Sequence, residues 1–404
     1  MGGLNLGSDP KEDFLLRAMV RIVGGVGLSA LVAGMSTGAS AASDVVGHVY
    51  VNDNTAPANT VAAFNRYSDG TLGPVSGSPF AAGGAGTGTI VGSQGALQLS
   101  GDGRYLLAVD AGSNQLSVLR VRPDGSLVQV EGSPVSSGGV EPVSIAVHGN
   151  LVYVANKGDK ATGTGSNYTG FTLNAGGHLS PLVGSTVLLP STANPGDILF
   201  NSTGANLVGI EVGTTDPSTF HIDSFTVGRD GRLTAASGSP FAAQAAGPFG
   251  SEFSPADPSH LYVSNAHGGA GNGSVSAFAV GSGGALSPIG ESPFADGQTA
   301  PCWVEISHDG AYLFAVNTGS TSISSYQIET DGSLSYLSTT PFKSGSGIAP
   351  FDARLDPLGG HLYVVDAALD AVSAFSVAGG GLTELPQPPF ALPGGATPFG
   401  LVVD

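Results

Sequence analysis

Two acidic side chains, Asp197 and Glu211, have the type and spacing that best suit catalysis in this sequence. Each lies in a short apolar stretch that predicts a β-strand, and a turn separates the two stretches. A hairpin would bring the two carboxyl groups near each other. Such a pair can act as general acid and general base, or as oxygen ligands for a cation. The alternative is that each carboxylate caps a turn by accepting backbone N–H bonds.

The elements that must position these side chains are short strands that recur along the chain. Strand openings fall about 50 residues apart, a period typical of radial β-repeats. The openings are Gln94, Pro142, Pro195, Pro248, Pro301, Pro350 and Pro398. Between Pro301 and Phe342, four strand signals alternate with turns that contain Asp-Gly. This order predicts a four-stranded meander, the shape of one propeller blade.

The two chain ends complement each other and set the number of blades. Segment 47–53 (GHVYVND) is a second strand with no first strand before it, and segment 398–404 (PFGLVVD) is a first strand with no second strand after it. Residues 47–80 and 398–404 would form one composite blade beside six complete ones. The sequence therefore predicts an all-β, seven-bladed β-propeller over residues 42–404, closed by pairing of the N- and C-terminal strands.

Two positions of the repeat carry polar residues that point to a site. Each second strand ends in a polar residue: Asn52, Asp110, Asn156, Glu211, Asn265, Asn317 and Asp366. The third strands read VSAF at Val275 and Val372, and IDSF at Ile222. First-strand starts and second-strand ends lie on one face of a propeller, so they should ring the mouth of the central channel. Carboxylates that converge there would repel each other and raise one pKa.

This ring supplies the candidate site. Asp197 and Glu211 are the candidate catalytic residues. The candidate substrate-binding residues are Asp352, Trp303, Asp366, Asp110, His267 and Lys157. His148, His260, His308 and His361 lie at or beside turns of the other face, where we expect them to be solvated. We predict no resident metal and no cofactor.

Composition excludes several function classes. The net charge of −18 repels nucleic acid and anionic membranes, and the 64 glycines are spread through turns. Beyond the predicted signal, residues 42–404 contain no nucleophile elbow, zinc-protease helix, phosphate loop or dinucleotide fingerprint. The single cysteine, Cys302, is expected to be a small core residue, so the fold has no internal disulfide. We expect a monomer.

The first 41 residues resemble a secretory signal. Arg17 and Arg21 precede an apolar run from Ile22 to Met35, and 39–41 reads Ala-Ser-Ala, a cleavage signal. The alternative is a membrane anchor, which the short length of the apolar run disfavours. We therefore predict an exported protein that begins near Ala42 and does not bind the membrane after cleavage.

The repeat resembles the lactonase-family seven-bladed propellers, which include 6-phosphogluconolactonase and carboxymuconate cyclase. The shared features are the proline opening, the Ser-x-Asp-Gly hairpin (Ser307 to Gly310), the Asp-Gly-x-Leu turn and LYVSN at 261–265. The last is also similar to YVTN repeats of exported bacterial proteins. The resemblance extends from Gly47 to Asp404. It implies lactone hydrolysis or lactone formation at the channel mouth.

The chain departs from the family at its catalytic signature. Active members carry Pro-Arg-His at a strand opening and Asn-Glu after the next strand. The histidine position holds Ala96, Ser144, Asp197, Gly250, Trp303, Asp352 and Gly400 here, and no glutamate follows a strand-end residue. Two functions remain open. One is a lactonase-type hydrolase or cyclase that acts on a small lactone. The other is a non-catalytic extracellular propeller that binds a glycan, a peptide or a surface partner.

The basic-apolar-cleavage order of the N-terminus predicts that secreted protein starts at or near Ala42. N-terminal sequencing of protein from the culture medium checks this. A cell-retained chain that still contains Ile22 would contradict export.

Overall fold

The strand signals and Asp-Gly turns of each repeat form an antiparallel sheet in the computed structural model. The structure describes residues 43–159, 162, 164–343, 349–387 and 389–404, so the predicted signal peptide lies outside the described residues. Within these ranges the strands form seven sheets, each built on an inner, a second, a third and an outer strand. The seven-bladed propeller is confirmed. Blades are numbered here in chain order by their second strands.

Each inner strand pairs with the second strand of the same blade. The inner strands of blades 1 to 7 are Leu401–Val403, Leu97–Leu99, Pro142–His148, Pro195–Phe200, Pro248–Phe253, Pro301–Ile306 and Pro350–Leu355. The second strands are Val45–Asn52, Tyr105–Asp110, Leu151–Asn156, Asn206–Glu211, His260–Asn265, Tyr312–Asn317 and His361–Asp366.

Each third strand lies between the second strand and the outer strand. The third strands are Thr60–Tyr67, Gln115–Val121, Asn167–Leu173, His221–Val227, Ser274–Val280, Ser322–Ile328 and Ala371–Ala378. The described residues include one short 3₁₀ helix, Pro217–Thr219. No helix in the described ranges has the length and apolarity needed to cross a membrane.

The outer strand is broken into two pieces in six blades, whereas blade 6 has one continuous outer strand, Leu334–Pro341. The pieces are Leu72–Pro74 with Phe80–Ala81, Leu127–Gln129 with Val135–Ser136, Leu179–Pro181 with Val187–Leu188, Leu233–Ala235 with Phe241–Ala242, Leu286–Pro288 with Phe294–Ala295, and Gly381–Glu384 with Phe390–Ala391. Serine hydroxyls replace the missing strand partners at several breaks. Ser78 Oγ accepts from the Ala63 N–H at 2.8 Å, and Ser133 Oγ accepts from the Val118 N–H at 2.7 Å.

The N- and C-terminal strands pair, as predicted. Val49, Tyr50 and Val51 lie opposite Val403, Val402 and Leu401 in an antiparallel ladder. Arg66 of the third strand reinforces this pairing. Its Nη2 donates to the Asp404 carbonyl at 2.8 Å, and its Nη1 lies 3.3 Å from Asp356 Oδ2 of blade 7. Both members of the Arg66–Asp356 pair are buried.

Neighbouring blades contact each other at a turn glycine. A side chain at the start of each second strand lies against the glycine of the third-to-outer turn of the next blade. The pairs are His48–Gly125, Tyr105–Gly177, Leu151–Gly231, Asn206–Gly284, His260–Gly332, Tyr312–Gly380 and His361–Gly70. A Cβ on Gly70 would lie 2.3 Å from Cδ2 of His361, and φ there is +82°, so only glycine fits.

This contact corrects the expectation that His148, His260 and His361 are solvated. His260 and His361 pack on turn glycines, and His148 lies in the same way against Gly204 of the next blade. These three side chains are half-buried because the neighbouring blade covers their turns. His308 is exposed, as expected, although its Nε2 lies 2.8 Å from the Asp356 carbonyl of the next blade.

Arg66→Met should lower the free energy of unfolding by about 3–5 kcal/mol, because it leaves Asp356 buried without its cation. Chemical denaturation measures the change. Arg104→Met is the matched control, since Arg104 pairs with Asp102 while both side chains are about half exposed. That variant should leave the free energy of unfolding nearly unchanged, because solvent screens an exposed ion pair. Equal losses in the two variants would contradict a role for Arg66 in closure.

Candidate functional site

The mouth of the central channel, where the inner strands begin, is filled by side chains. Trp303 is buried and stacks on Phe351 with ring centroids 4.7 Å apart, and Phe249 lies edge-on at 5.3 Å. The indole N–H donates to the Ser93 carbonyl across the axis at 2.7 Å. Gln94 also crosses the axis: its Nε2 donates to the Ser251 carbonyl, and its Oε1 accepts from the Val304 N–H. Trp303 is therefore a core residue of the closed mouth.

Asp197 lies in this closed region and not beside Glu211. Its Oδ2 accepts from the Ser251 N–H at 2.9 Å and from the Ser251 hydroxyl at 2.7 Å, and its Oδ1 accepts from Ser144 at 3.2 Å. A register shift after Pro195 sets Asp197 opposite Ile210. Opposite residues share a face and successive residues alternate, so Asp197 and Glu211 lie on opposite faces of the sheet. Burial raises the pKa of Asp197 to about 7.

Asp352 belongs to a charge network around Arg354. The guanidinium Nη1 lies 3.1 Å from Asp352 Oδ1 and 3.5 Å from Glu305 Oε2. Glu305 Oε1 also accepts from the Leu355 N–H at 2.8 Å. Glu252 and Asp197 also lie within electrostatic reach of this arginine. Arg354 and backbone N–H donors bind the channel carboxyl groups, and burial raises the pKa of Glu305 to about 7 and that of Glu252 well above its usual value.

The remaining sequence candidates occupy separate places on this face. Asp366 accepts from the backbone N–H groups of blade 7 loops, and Asp110 accepts from Ser117 at 2.5 Å and from Asn59 at 2.9 Å. Lys157 Nζ lies 3.7 Å from Glu141 Oε1. His267 is half-buried against Gly247. The structure therefore does not gather the predicted site residues into one pocket.

The residue at the end of each second strand has a regular structural role. The pairing between the second and third strands shows which residue occupies this strand-end position. In blade 1 the register places Asp53 there, one residue after Asn52, because the Asp53 N–H donates to the Thr60 carbonyl. In blades 5 and 6, Asn265 and Asn317 each donate 2.9 Å bonds to a serine two residues into the third strand. The usual contact is thus between a strand-end amide or carboxylate and a hydroxyl group.

Blade 4 departs from this pattern at three facing positions. The strand-end residues are Asp53, Asp110, Asn156, Glu211, Asn265, Asn317 and Asp366. The first third-strand residues are Thr60, Gln115, Asn167, His221, Ser274, Ser322 and Ala371. Two positions further on are Ala62, Ser117, Thr169, Asp223, Ser276, Ser324 and Ser373. Blade 4 alone has a glutamate, an imidazole and a second carboxyl group at these positions.

These side chains form one cluster, called the blade-4 site below: Tyr168, Glu211, His221 and Asp223. Glu211 Oε2 lies 3.4 Å from His221 Nδ1, and the Glu211 and Asp223 carboxyl groups lie close enough to interact. The Tyr168 hydroxyl, from blade 3, donates to Asp223 Oδ2 at 2.9 Å. Glu211 and Asp223 are buried, whereas the His221 side chain is 27% exposed.

Burial and mutual repulsion keep a proton on this carboxyl pair. Burial, followed by the negative charge of Glu211, raises the pKa of Asp223 to about 8. Burial also raises the pKa of Glu211. Two adjacent carboxyl groups cannot both ionise cheaply in a buried site. Near neutral pH the pair therefore retains a proton, and His221 is the member that solvent reaches.

The blade-4 site contains what general acid–base chemistry requires, an imidazole oriented by a carboxylate. Sequence reasoning found Glu211 but missed His221, Asp223 and Tyr168. The signal for Asp223 was present, because IDSF aligned with VSAF sets it in the column of Ser276 and Ser373. No comparable signal marks Tyr168, whose contact lies in the neighbouring blade.

The described residues contain no group of three or more His, Cys, Asp or Glu side chains that could hold a metal ion. Cys302 is buried, and burial raises the pKa of its thiol to about 12, so the thiolate that nucleophilic attack requires is disfavoured.

A surface groove of about 230 Å³ lies away from the blade-4 site, between blades 2 and 3. Arg120, Glu131 and His178 line it together with Val128 and Gln129. It offers a polar surface for a ligand.

The sequence also matches a known family model. Residues 212–400 match the model of the lactonase seven-bladed β-propeller. The resemblance to the lactonase propellers is confirmed. This match covers His221 and Asp223 and begins one residue after Glu211.

Solved structures of lactonase-like propellers share the fold. A Bacteroides fragilis protein assigned as a 6-phosphogluconolactonase is 19% identical, with a TM-score of 0.69 over 90% of this chain and 99% of that one. A periplasmic gluconolactonase from Pseudomonas aeruginosa is 18% identical, with a TM-score of 0.67 over 88% and 98%. At these identities the likeness shows the fold alone. None of the curated proteins matches the chain.

The buried carboxyl groups predict that stability falls as pH rises from about 4 to about 8. Burial raises the pKa of Asp53, Asp197 and Glu305 to about 7 and that of Asp223 to about 8. The folded state then binds more protons than the unfolded state in this range. The stabilisation is complete below the pKa that these carboxyl groups have in the unfolded state, and it is lost as pH rises through their higher pKa in the folded state. Denaturant unfolding across this range measures the slope.

Asp223→Asn is the control, because an amide cannot titrate. Its unfolding free energy should decline less steeply near pH 8 than that of the wild type. A flat or rising wild-type profile between pH 4 and 8 would contradict the raised values.

Proposed function

We propose that this protein is an exported lactonase-type enzyme that hydrolyses, or in reverse forms, a small lactone at the blade-4 site. The observation that carries the proposal is the concentration of two carboxyl groups and an imidazole in blade 4, at positions that other blades fill with amides and hydroxyls. Burying a carboxyl pair is costly unless its proton and hydrogen bonds are provided for. The family resemblance supplies the reaction class.

In the proposed reaction, His221 acts as the general base. Glu211 accepts from Nδ1–H and fixes the tautomer that leaves Nε2 free of a proton. Nε2 takes a proton from a water molecule as the water oxygen attacks the lactone carbonyl carbon. The imidazolium then protonates the ring oxygen as the acyl C–O bond breaks, and a hydroxy acid is released. Asp223 keeps the proton it shares with Glu211, so the pair carries one negative charge that stabilises the imidazolium.

The charge around the site selects among lactones. Glu211 and Asp223 are adjacent, and Asp197 lies within electrostatic reach of Tyr168. A phosphorylated sugar lactone would be repelled, and a neutral aliphatic or sugar lactone is favoured. Gluconolactone is a reasonable first substrate, because the Pseudomonas aeruginosa neighbour is a gluconolactonase. The predicted signal sequence would place this activity outside the cell.

We expect wild-type protein to hydrolyse at least one member of a panel of aliphatic and sugar lactones. Glu211→Gln and His221→Gln should each lower kcat/KM by about 10²–10⁴-fold, because each removes part of the acid–base pair. Titration of released acid follows turnover. Asp197→Asn tests whether Asp197, rather than Asp223, is the second catalytic carboxyl group.

The matched control is Asp110→Asn, which changes the strand-end carboxyl group of blade 2. Its turnover per folded molecule should equal that of the wild type. No turnover of any lactone by wild-type protein, or full activity in Glu211→Gln, would contradict the enzyme proposal.

The second candidate function is non-catalytic binding of an extracellular glycan, peptide or surface partner. The groove between blades 2 and 3 supports it, because this concavity is lined by Arg120, Glu131 and His178. Loss of ligand binding in Arg120→Ala, with no lactone turnover in the wild type, would favour this candidate.

A further inference from the structure

Two buried positions on either side of the blade 3–blade 4 boundary depart from the repeat together. The second residue of the third strand is Tyr168 in blade 3, and elsewhere it is Val61, Leu116, Ile222, Val275, Ile323 or Val372. Two residues before the strand end, blade 4 has Gly209, and the other blades have Val51, Ala108, Val154, Val263, Ala315 and Val364. Blade 3 thus has a phenol ring where the other blades have an aliphatic side chain, and blade 4 has glycine where the others have alanine or valine.

The two departures fit each other sterically. Tyr168 is fully buried, and a Cβ on Gly209 would lie 2.2 Å from its Oη and 2.3 Å from its Cζ. Any side chain at position 209 would therefore displace the phenol ring. In the observed position the hydroxyl donates to Asp223 Oδ2 at 2.9 Å. The ring lies edge-on to Phe225 with centroids 6.1 Å apart, so its orientation is fixed.

We propose that Tyr168 is a positioning residue of the blade-4 site. The absence of a side chain at Gly209 leaves room for its ring, and its hydroxyl holds the Asp223 carboxyl group against Glu211. The site is then shared between two blades. The inference rests on the proposed function and adds a residue from blade 3 to it. Five departures from the repeat converge here: Tyr168, Gly209, Glu211, His221 and Asp223.

The hydroxyl also stabilises the ionised form of Asp223, since it donates to the carboxylate. The groups that face Asp223 are Glu211 and His221 of its own blade and Tyr168 of blade 3, and Asp197 lies within electrostatic reach of Tyr168. An aliphatic residue at position 168 would pack the interface without this bond. The phenol is therefore explained by the carboxyl group it contacts.

Tyr168→Phe removes the oxygen and keeps the ring. The ¹³C carboxyl signal of Asp223, assigned by its loss in Asp223→Asn, should titrate about half a pH unit or more higher than in the wild type. With a lactone found to be a substrate, kcat should fall while KM stays within about twofold, and the pH profile should move in the same direction. An unchanged Asp223 titration would overturn the inference.

Tyr153→Phe is the matched control. Tyr153 lies in the same blade and its hydroxyl also bonds the next blade, but to the Gly231 carbonyl at 2.9 Å, away from the site. This variant should leave the Asp223 titration unchanged. An equal shift in both variants would mean general loosening of the interface and would also overturn the inference.

The double variant Tyr168→Val/Gly209→Val restores residue types that other blades have at these positions. It should fold and should show the shifted Asp223 titration. The outcomes separate the two proposals. A shifted titration in a protein that turns over no lactone supports the positioning role and contradicts the enzyme. An unshifted titration together with loss of turnover in Glu211→Gln contradicts the positioning role of Tyr168 and supports the enzyme.

Discussion

The contact between a second strand and the turn glycine of the next blade is the interaction on which the rest of the molecule depends. One blade cannot bury both faces of its own sheet, so each must pack against its neighbours. The contact recurs at all seven boundaries, from His48 on Gly125 to His361 on Gly70. At several boundaries a tyrosine adds a hydrogen bond to the turn carbonyl, as Tyr262 does to Gly332 at 2.9 Å. The last of these contacts joins blade 7 to blade 1.

Because the boundaries repeat, a departure from the repeat is informative. Asn265, Asn317 and Asp110 bond to nearby hydroxyl groups, whereas Asp366 accepts from backbone N–H groups as the capping interpretation predicted. Blade 4 replaces this satisfied arrangement with a carboxyl pair that must retain a proton. Such a pair is harder to bury than an amide and a serine, so packing alone does not explain it. The acid–base role proposed above accounts for it.

The fold could be predicted from sequence because its signals are local. Asp-Gly turns, strand-length apolar runs and a constant period each involve neighbouring residues, and the complementary chain ends fix the closing pair. The contents of the channel could not be predicted. Gln94 bonds to blades 5 and 6 across the axis, and Trp303 bonds back to Ser93. Contacts between blades so far apart in sequence leave no local pattern.

The site was predictable in part. Glu211 was identified from its position at the end of a second strand, but the expected partner was Asp197 of the same hairpin. The register shift after Pro195 reverses the face on which Asp197 lies, and a single-residue shift of this kind has no clear sequence signal here. Asp223 lies on the same face of the sheet as Glu211, and it could have been recognised by comparing the third strands of the seven blades. Tyr168 could be identified only from the contact between blades 3 and 4 in the structure.

Neutron diffraction from a crystal held at neutral pD shows whether Glu211 and Asp223 share one proton beside a solvent-accessible His221. We expect nuclear density for one deuteron between the two carboxyl groups and for another on Nδ1 of His221. Two fully ionised carboxylates, or carboxyl groups too far apart to share a hydrogen bond, would contradict this expectation.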